Sequence, residues 1–263
     1  MSATEKWSDL TVRIASGLTM VLVGVIGIWI GGTVFHALVA VICGVMAWEL
    51  ACMLIPTDRG KQLGLAALTG GAVLLSVYMP IWLGMLVLLV PLLVGYSALH
   101  QNRGLFVAYG VLILLAGVSL VQVRDDMGLG WMLWLGFVVV ITDVVGYFAG
   151  RMFGGPKFWP AISPKKTWSG TVAGWFGAAI VGFVFSLNTG VGLQLATISI
   201  VVSMASQMGD IAESALKRKM GVKDSSNLIP GHGGLMDRFD GMLGAAVFLL
   251  LIGQLIGFPP VAG

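Results

Sequence analysis

The chain has 263 residues, of which 57% are hydrophobic and only 10% charged, and its net charge is +3. An average soluble domain is about 25% charged. So few charges cannot give a fold of this size a wettable surface, which excludes a soluble globular protein and leaves an integral membrane protein.

One crossing of a bilayer takes about 20 mostly apolar residues. Nine apolar runs meet or approach that length: 14–31, 33–54, 63–79, 81–99, 105–122, 129–149, 170–187, 191–208 and 236–257. The expected fold is all-α and polytopic, with about nine transmembrane helices in a single membrane domain, 1–263. Within it, 1–128 supplies packing and lipid-facing spans, and 129–263 carries the polar chemistry. The first run follows Lys6 and Arg13 as a signal peptide would. It has no small-residue cleavage site before the next run and reads as a retained span. Cys43 and Cys52 stand nine positions apart in one run, on opposite helix faces, so they form no disulfide. Gly170, Gly174 and Gly177, and again Gly241 and Gly244, form small-residue stripes of the kind that lets helices approach closely in lipid.

Basic residues set the orientation. With the N-terminus in the cytoplasm and nine spans, every Lys and Arg except Arg124 falls in a cytoplasmic segment. The two long polar segments, 150–169 and 209–235, share that side, and long loops are where function concentrates.

Three stretches hold the candidate chemistry. In 203–224, Asp210, Glu213, Ser214 and Lys217 share one helix face, and Gly221 is a candidate helix stop. In 224–241, Pro230, Gly231, Gly233 and Gly234 forbid regular helix. A new helix is expected near Leu235, with Asp237 and Asp240 on one face of its first turns. Acids entering hydrocarbon are costly unless paired or bound to a cation. Free N–H groups of a glycine turn at a helix start suit phosphate. In 142–170, Asp143, Tyr147 and Arg151 line one face, and Ser163 to Thr167 read Ser-Pro-Lys-Lys-Thr, a tight proline turn whose Lys165 and Lys166 suit phosphates or anchor the inner face. Glu49, near the cytoplasmic end of the second run, either joins the polar cluster or reaches the interface. His36 and His100 read as packing or interfacial residues. His232, among glycines, contacts phosphate or steadies the loop.

Residues 214–240 resemble the signature of the phosphatidate cytidylyltransferases. The pattern Ser-x-apolar-Lys-Arg, four residues, Lys-Asp, then Pro-x-His-Gly-Gly-x-x-Asp-Arg-x-Asp is matched at Ser214, Lys217, Arg218, Lys223, Asp224, Pro230, His232, Gly233, Gly234, Asp237, Arg238 and Asp240. Asp210 and Glu213 before it, the stretch from Asp143 to Arg151, and the Ser163–Thr167 motif are also similar to the family. Val144 and Ser169 depart from it, where small or hydroxyl and Glu residues are usual.

The resemblance implies transfer of CMP from CTP to phosphatidate, giving CDP-diacylglycerol and pyrophosphate, in phospholipid biosynthesis. Phosphatidate brings its own ionised nucleophile, so the protein need only position groups and neutralise charge. Asp210, Asp224, Asp237 and Asp240 are the expected metal contacts, with Asp143 and Glu213 behind them. The expected cofactor is Mg2+, with two divalent ions or a divalent and a monovalent cation as alternatives. Lys217 and Arg238 join the four aspartates as catalytic candidates. Substrate binding falls to Ser163, Lys165, Lys166, Thr167, Arg218, Lys223, His232, Gly233, Gly234, Tyr147 and Arg151. Expected partners are CTP, phosphatidate and anionic lipid, with no nucleic acid; a homodimer is among the allowed assemblies. The expected location is the cytoplasmic (inner) membrane with the site facing the cytosol, in a funnel open to lipid. A transporter, a non-catalytic scaffold and a CTP-dependent lipid kinase are the competing readings.

Overall fold

The computed structural model describes residues 3–259, with the backbone alone for 3–11, 254 and 256. Lys6, counted above among the cytoplasmic charges, has its side chain outside the described residues. Among these residues there are nine α-helices: α1 Ala3–Ile30, α2 Gly32–Leu54, α3 Arg59–Val77, α4 Ile81–Ala98, α5 Arg103–Gln122, α6 Leu129–Phe153, α7 Trp168–Thr189, α8 Gln194–Lys219 and α9 Met236–Ile256. Each overlaps one of the nine apolar runs, with ends that differ from the expected ones by up to three residues where a run is not fully covered. The helices α1 to α8 are long and apolar enough to cross a membrane. The protein is therefore an all-α polytopic membrane protein.

The helix breaks have local causes. Asp58 caps α3 by accepting from the Lys61 N–H at 3.0 Å, and its carboxylate also pairs with the Lys61 ammonium at 3.1 Å. That backbone hydrogen bond, reinforced by the ammonium, holds the Asp58 carboxyl below its ordinary range. A five-residue π-helical turn, Val123–Met127, holds Arg124, Asp125 and Asp126 between α5 and α6. As expected, α8 runs on past its apolar part to Lys219, and Gly221 with φ 70° follows it. The next helix opens at Met236, one residue after the expected start.

One expectation is corrected. Ser163–Thr167 is not a tight turn but a strand, β2, paired antiparallel with β1, Lys157–Trp159. The reversal lies earlier, where the Ile162 N–H donates to the Trp159 carbonyl at 3.2 Å. Strand alternation separates the two lysines: Lys165 is exposed and Lys166 half-buried.

The chain forms two compact units. The first comprises Met1–Val121 with Lys219–Phe239, and the second Gln122–Arg218 with Asp240–Gly263. In the first, α2 and α3 meet where Gly44 faces the Ala66 carbonyl and Gly70. Cys43 and Cys52 are both free, as their spacing requires. His36 finds a packing partner, its Nδ1 lying 2.9 Å from the Tyr78 hydroxyl.

In the second unit the glycine stripe of α7 packs on α6: Gly170 against Gly146 and Gly150, Gly174 against Thr142, Gly177 against Ile141 and Val145. Helix α8 contributes a buried polar seam. Ser199 accepts from the Trp134 indole at 2.9 Å, Ser203 from Thr142 at 2.8 Å and Gln207 from the Trp175 indole at 2.9 Å. Such interhelical hydrogen bonds join helices where lipid gives no hydrophobic drive. Helix α9 reaches α8 through glycine as well. A Cβ on Gly209 would collide with the Asp240 carbonyl, and one on Gly244 with the Ala205 carbonyl.

Candidate active site

The first unit holds the loop from Lys223 to Leu235 in a fixed shape. Its tip is a reversal: the His232 N–H donates to the Ile229 carbonyl at 2.9 Å, and the Ile229 N–H to the Gly233 carbonyl at 2.8 Å. Proline followed by Gly231 at φ 75° is the type II pattern, in which only glycine sits comfortably at the second central position. The Arg238 guanidinium Nε closes the loop from α9 by donating to the His232 carbonyl at 3.0 Å. Helix α1 supports the tip from outside. Ser16 Oγ stands 3.0 Å from both the Pro230 carbonyl, to which it donates, and His232 Nδ1.

Two carboxylates clamp the base of this loop. Asp237 Oδ2 accepts from the Ser225 N–H at 2.9 Å, the Ser225 hydroxyl at 2.9 Å and the Gly234 N–H at 2.7 Å. Glu49 arrives from α2, with 0% of its surface exposed. Its Oε1 accepts from the Ser226 hydroxyl at 2.6 Å and the Leu235 N–H at 2.8 Å. Its Oε2 accepts from the Met236 N–H at 2.6 Å and the Ser225 hydroxyl at 3.3 Å. The Leu235 and Met236 amides belong to the donors that a helix start leaves unsatisfied. Lys223 and Asp224 project exposed from the start of the loop, and Arg238 is exposed on α9.

The second unit gathers a different set. Asp240 lies within electrostatic reach of Asp210, Asp143 and Lys217. Asp210 is paired with Lys166 of β2 at 2.5 Å and accepts from the Ser214 hydroxyl at 3.2 Å. Glu213, 1% exposed, pairs with Lys217 at 2.5 Å. The sequence foresaw one face for Asp210, Glu213, Ser214 and Lys217, and these contacts follow that spacing. Tyr147 and Arg151 also meet, guanidinium to hydroxyl at 3.0 Å, on the exposed side of α6.

The residues at the hairpin have mixed duties. Thr167 is 5% exposed and caps α7 by accepting from the Gly170 N–H at 3.3 Å. Ser169, where the resemblance expects Glu, donates to the Gly154 carbonyl and lies 3.0 Å from the Thr167 hydroxyl. Ser163 is half-buried, and Lys165 and Arg218 are exposed.

The four aspartates expected to bind metal thus fall in two pairs, Asp224 and Asp237 in the first unit, Asp210 and Asp240 in the second. Among the described residues no group of three or more Asp, Glu, His or Cys side chains is gathered tightly enough to hold an ion by itself. The donor chemistry nonetheless fits a hard divalent cation: every candidate ligand is a carboxylate oxygen. Asp210 and Asp143 each act on Asp240 as a like charge, a setting that a cation would relieve.

Residues 11–256 match the model of the cytidylyltransferase family. The phosphatidate cytidylyltransferase of Bacillus subtilis is 31% identical, over 93% of this chain and 97% of its own length. The chain belongs to the cytidylyltransferase family.

Other similar family members are the phosphatidate cytidylyltransferases of Brucella abortus and Staphylococcus saprophyticus. The first is 43% identical over 55% of this chain and 54% of its own length. The second is 39% identical over 58% of this chain and 62% of its own length. The chain thus spans about half the length of the Brucella relative it matches.

Within this cytidylyltransferase-family chain, sequence reasoning missed Ser225 and Ser226 as parts of the site and left open whether Glu49 joins it; the hydrogen bonds of Glu49 to the loop decide for the first alternative. An acid at the end of an apolar run was the available signal for Glu49, but nothing local names partners so far along the chain. The first unit also contains a groove of about 560 Å³ along α2 and α3, reaching Leu228 of the loop. Its walls are apolar and include none of the candidate acids or bases.

Proposed function

We propose that this protein transfers CMP from CTP to phosphatidate, releasing pyrophosphate and forming CDP-diacylglycerol. The observation that carries the proposal is the complete Ser214–Asp240 signature within a family match over residues 11–256. The names of the Bacillus, Brucella and Staphylococcus relatives supply the substrates.

In the reaction, a phosphate oxygen of phosphatidate attacks the α-phosphorus of CTP. A new P–O bond forms, the bond from the α-phosphorus to the bridging oxygen breaks, and pyrophosphate leaves with its electron pair. Phosphatidate is already ionised near neutral pH, so no protein base has to remove a proton. The protein's task is to hold two polyanions in line and offset their charge.

Lys223 and Arg238 in the first unit, and Lys166, Lys217 and Arg218 in the second, are the cations assigned to phosphates. Lys165 is assigned with Lys166 to the lipid head or the nucleotide tail. Magnesium, when bound, supplies charge neutralisation and orients phosphate oxygens. Asp210 and Asp240, with Asp143 beside them, are its assigned ligands in the second unit, and Asp224 and Asp237 are assigned to it in the first. Glu213 follows them. Its pairing with Lys217 fixes where that ammonium can point.

The proposed orientation places the N-terminus, the hairpin and the Lys223–Leu235 loop on the cytoplasmic side of the inner membrane, where CTP is available and phosphatidate presents its head group. A homodimer remains a proposed assembly. The deciding experiment uses purified protein in detergent with labelled CTP, phosphatidate and Mg2+. Labelled CDP-diacylglycerol supports the proposal. If vesicles instead show substrate movement with no labelled lipid, the transporter reading replaces it.

A further inference from the structure

Among the described residues of the first unit, Glu49 is the one fully buried carboxylate that the reaction above does not use, and its surroundings are specific. A carboxylate out of water is tolerated only when charge-assisted hydrogen bonds satisfy it. Glu49 has four, all from residues 225–236: two serine hydroxyls and the amides of Leu235 and Met236. It therefore does two jobs with one group. It caps the start of α9 from another helix, placing negative charge at the positive end of that helix. It also pins Ser225 and Ser226, the residues that directly follow Asp224.

Gly234 shows how closely this fit is drawn. A Cβ there would collide with both the Ser225 hydroxyl and Glu49 Oε1. Ser225 is shared as well, its hydroxyl donating toward both Glu49 and Asp237. Glu49 and Asp237 thus grip the same serine from two helices, and the orientation of Asp237 depends on that grip.

We infer that Glu49 is a positioning residue for the cytidylyl transfer, anchoring the Lys223–Met236 segment so that Lys223, Asp224 and Asp237 face the substrates in a fixed arrangement. The inference rests on the proposed function, because positioning matters only if those residues meet CTP or phosphatidate. Glu49 touches neither reacting group. Its effect is carried through Ser225, Ser226 and the α9 start.

The test compares full-length wild type with Glu49→Gln and Ser226→Ala in detergent. Glu49→Gln keeps the shape but removes the charge and turns one acceptor into a donor facing N–H groups. Three quantities are read: monodispersity with melting temperature, kcat and KM for CDP-diacylglycerol synthesis, and hydrogen exchange of the Leu235 and Met236 amides. The expected result for Glu49→Gln is a monodisperse protein whose kcat falls by about 100-fold, as misplacement of reacting groups by about 1 Å costs. KM for CTP and phosphatidate should stay within about threefold, and exchange at the two amides should accelerate at least tenfold. Ser226→Ala should show the same pattern in smaller measure, with kcat down about threefold to tenfold.

Glu49→Gln with kcat within threefold of wild type overturns the inference, as does unchanged amide exchange. If Glu49→Gln fails to fold, Ser226→Ala decides alone, and wild-type kcat and exchange in that variant overturn it. If wild type makes no CDP-diacylglycerol, the proposed function fails. The exchange arm then still reports whether Glu49 anchors the loop.

Discussion

Glu49 Oε2 accepts a hydrogen bond from the Met236 N–H at 2.6 Å, joining the second helix to the start of the last across 187 positions of sequence. The same carboxylate reaches Ser225, Ser226 and Leu235, so the glycine-rich loop is held at its base rather than hanging between helices. The loop's mechanical support comes from spans that composition alone marks as lipid-facing packing.

Gly234→Ala should be damaging out of proportion to its size. The added methyl overlaps the Ser225 hydroxyl and Glu49 Oε1, both of which are held by other bonds. Overpacking of this kind costs about 1–3 kcal/mol. Thermal melting in detergent should fall accordingly, and synthesis of CDP-diacylglycerol should drop at least about tenfold by the same displacement of the loop.

Asp240→Asn and Asp237→Asn should separate two roles. Asp240 sits near Asp210 and Asp143 and removing its charge relieves repulsion, so that variant should insert and melt like wild type or better. Its turnover should still fall by about 100-fold or more as an electrostatic contribution is lost. Asp237→Asn should lose turnover too, and in addition weaken the bonds to Ser225 and Gly234. Amide exchange at Gly234 distinguishes the two. Normal turnover in both variants removes them from the catalytic set.

Lys166→Met tests the hairpin. The Lys166–Asp210 pair has partners 24% and 28% exposed, and ion pairs that reach solvent contribute about 0–1 kcal/mol. Melting should therefore move little. If Lys166 holds a phosphate, KM for CTP or for phosphatidate should rise about tenfold, and titrating each substrate separately shows which.

Chelation with EDTA should abolish product formation, and Mg2+ should restore it. Mg2+ favours oxygen ligands with strict octahedral geometry, so Ca2+ at equal concentration should restore far less. Initial rates against free metal concentration, measured for wild type and Asp240→Asn, should show a higher requirement in the variant.

The helices were legible because each apolar run has about the length of one span. Gly221 follows α8 where the sequence offered a stop, whereas the Asp58 cap of α3 went unread. The glycine stripes were legible too, since Gly170, Gly174 and Gly177 can share a face only in one way. The conformation of Ser163–Thr167 was not, because a proline inside a three-to-five-residue strand reads as a turn and the pairing partner, Lys157–Trp159, has no alternating pattern long enough to see. Of the site, contacts within one helix were foreseen, such as Lys217 with Glu213. Contacts between distant segments, such as Lys166 with Asp210 or Glu49 with Ser225, depend on tertiary packing that spacing does not encode.

The grip of Glu49 also imposes a schedule on biogenesis. The ribosome makes Glu49 176 residues before Ser225, and at roughly 5–20 residues per second this interval lasts on the order of 10–40 seconds. During that time the acid of α2 has none of the four donors that later surround it. Nascent chains that stop short of Ser225 would lack all four of those donors.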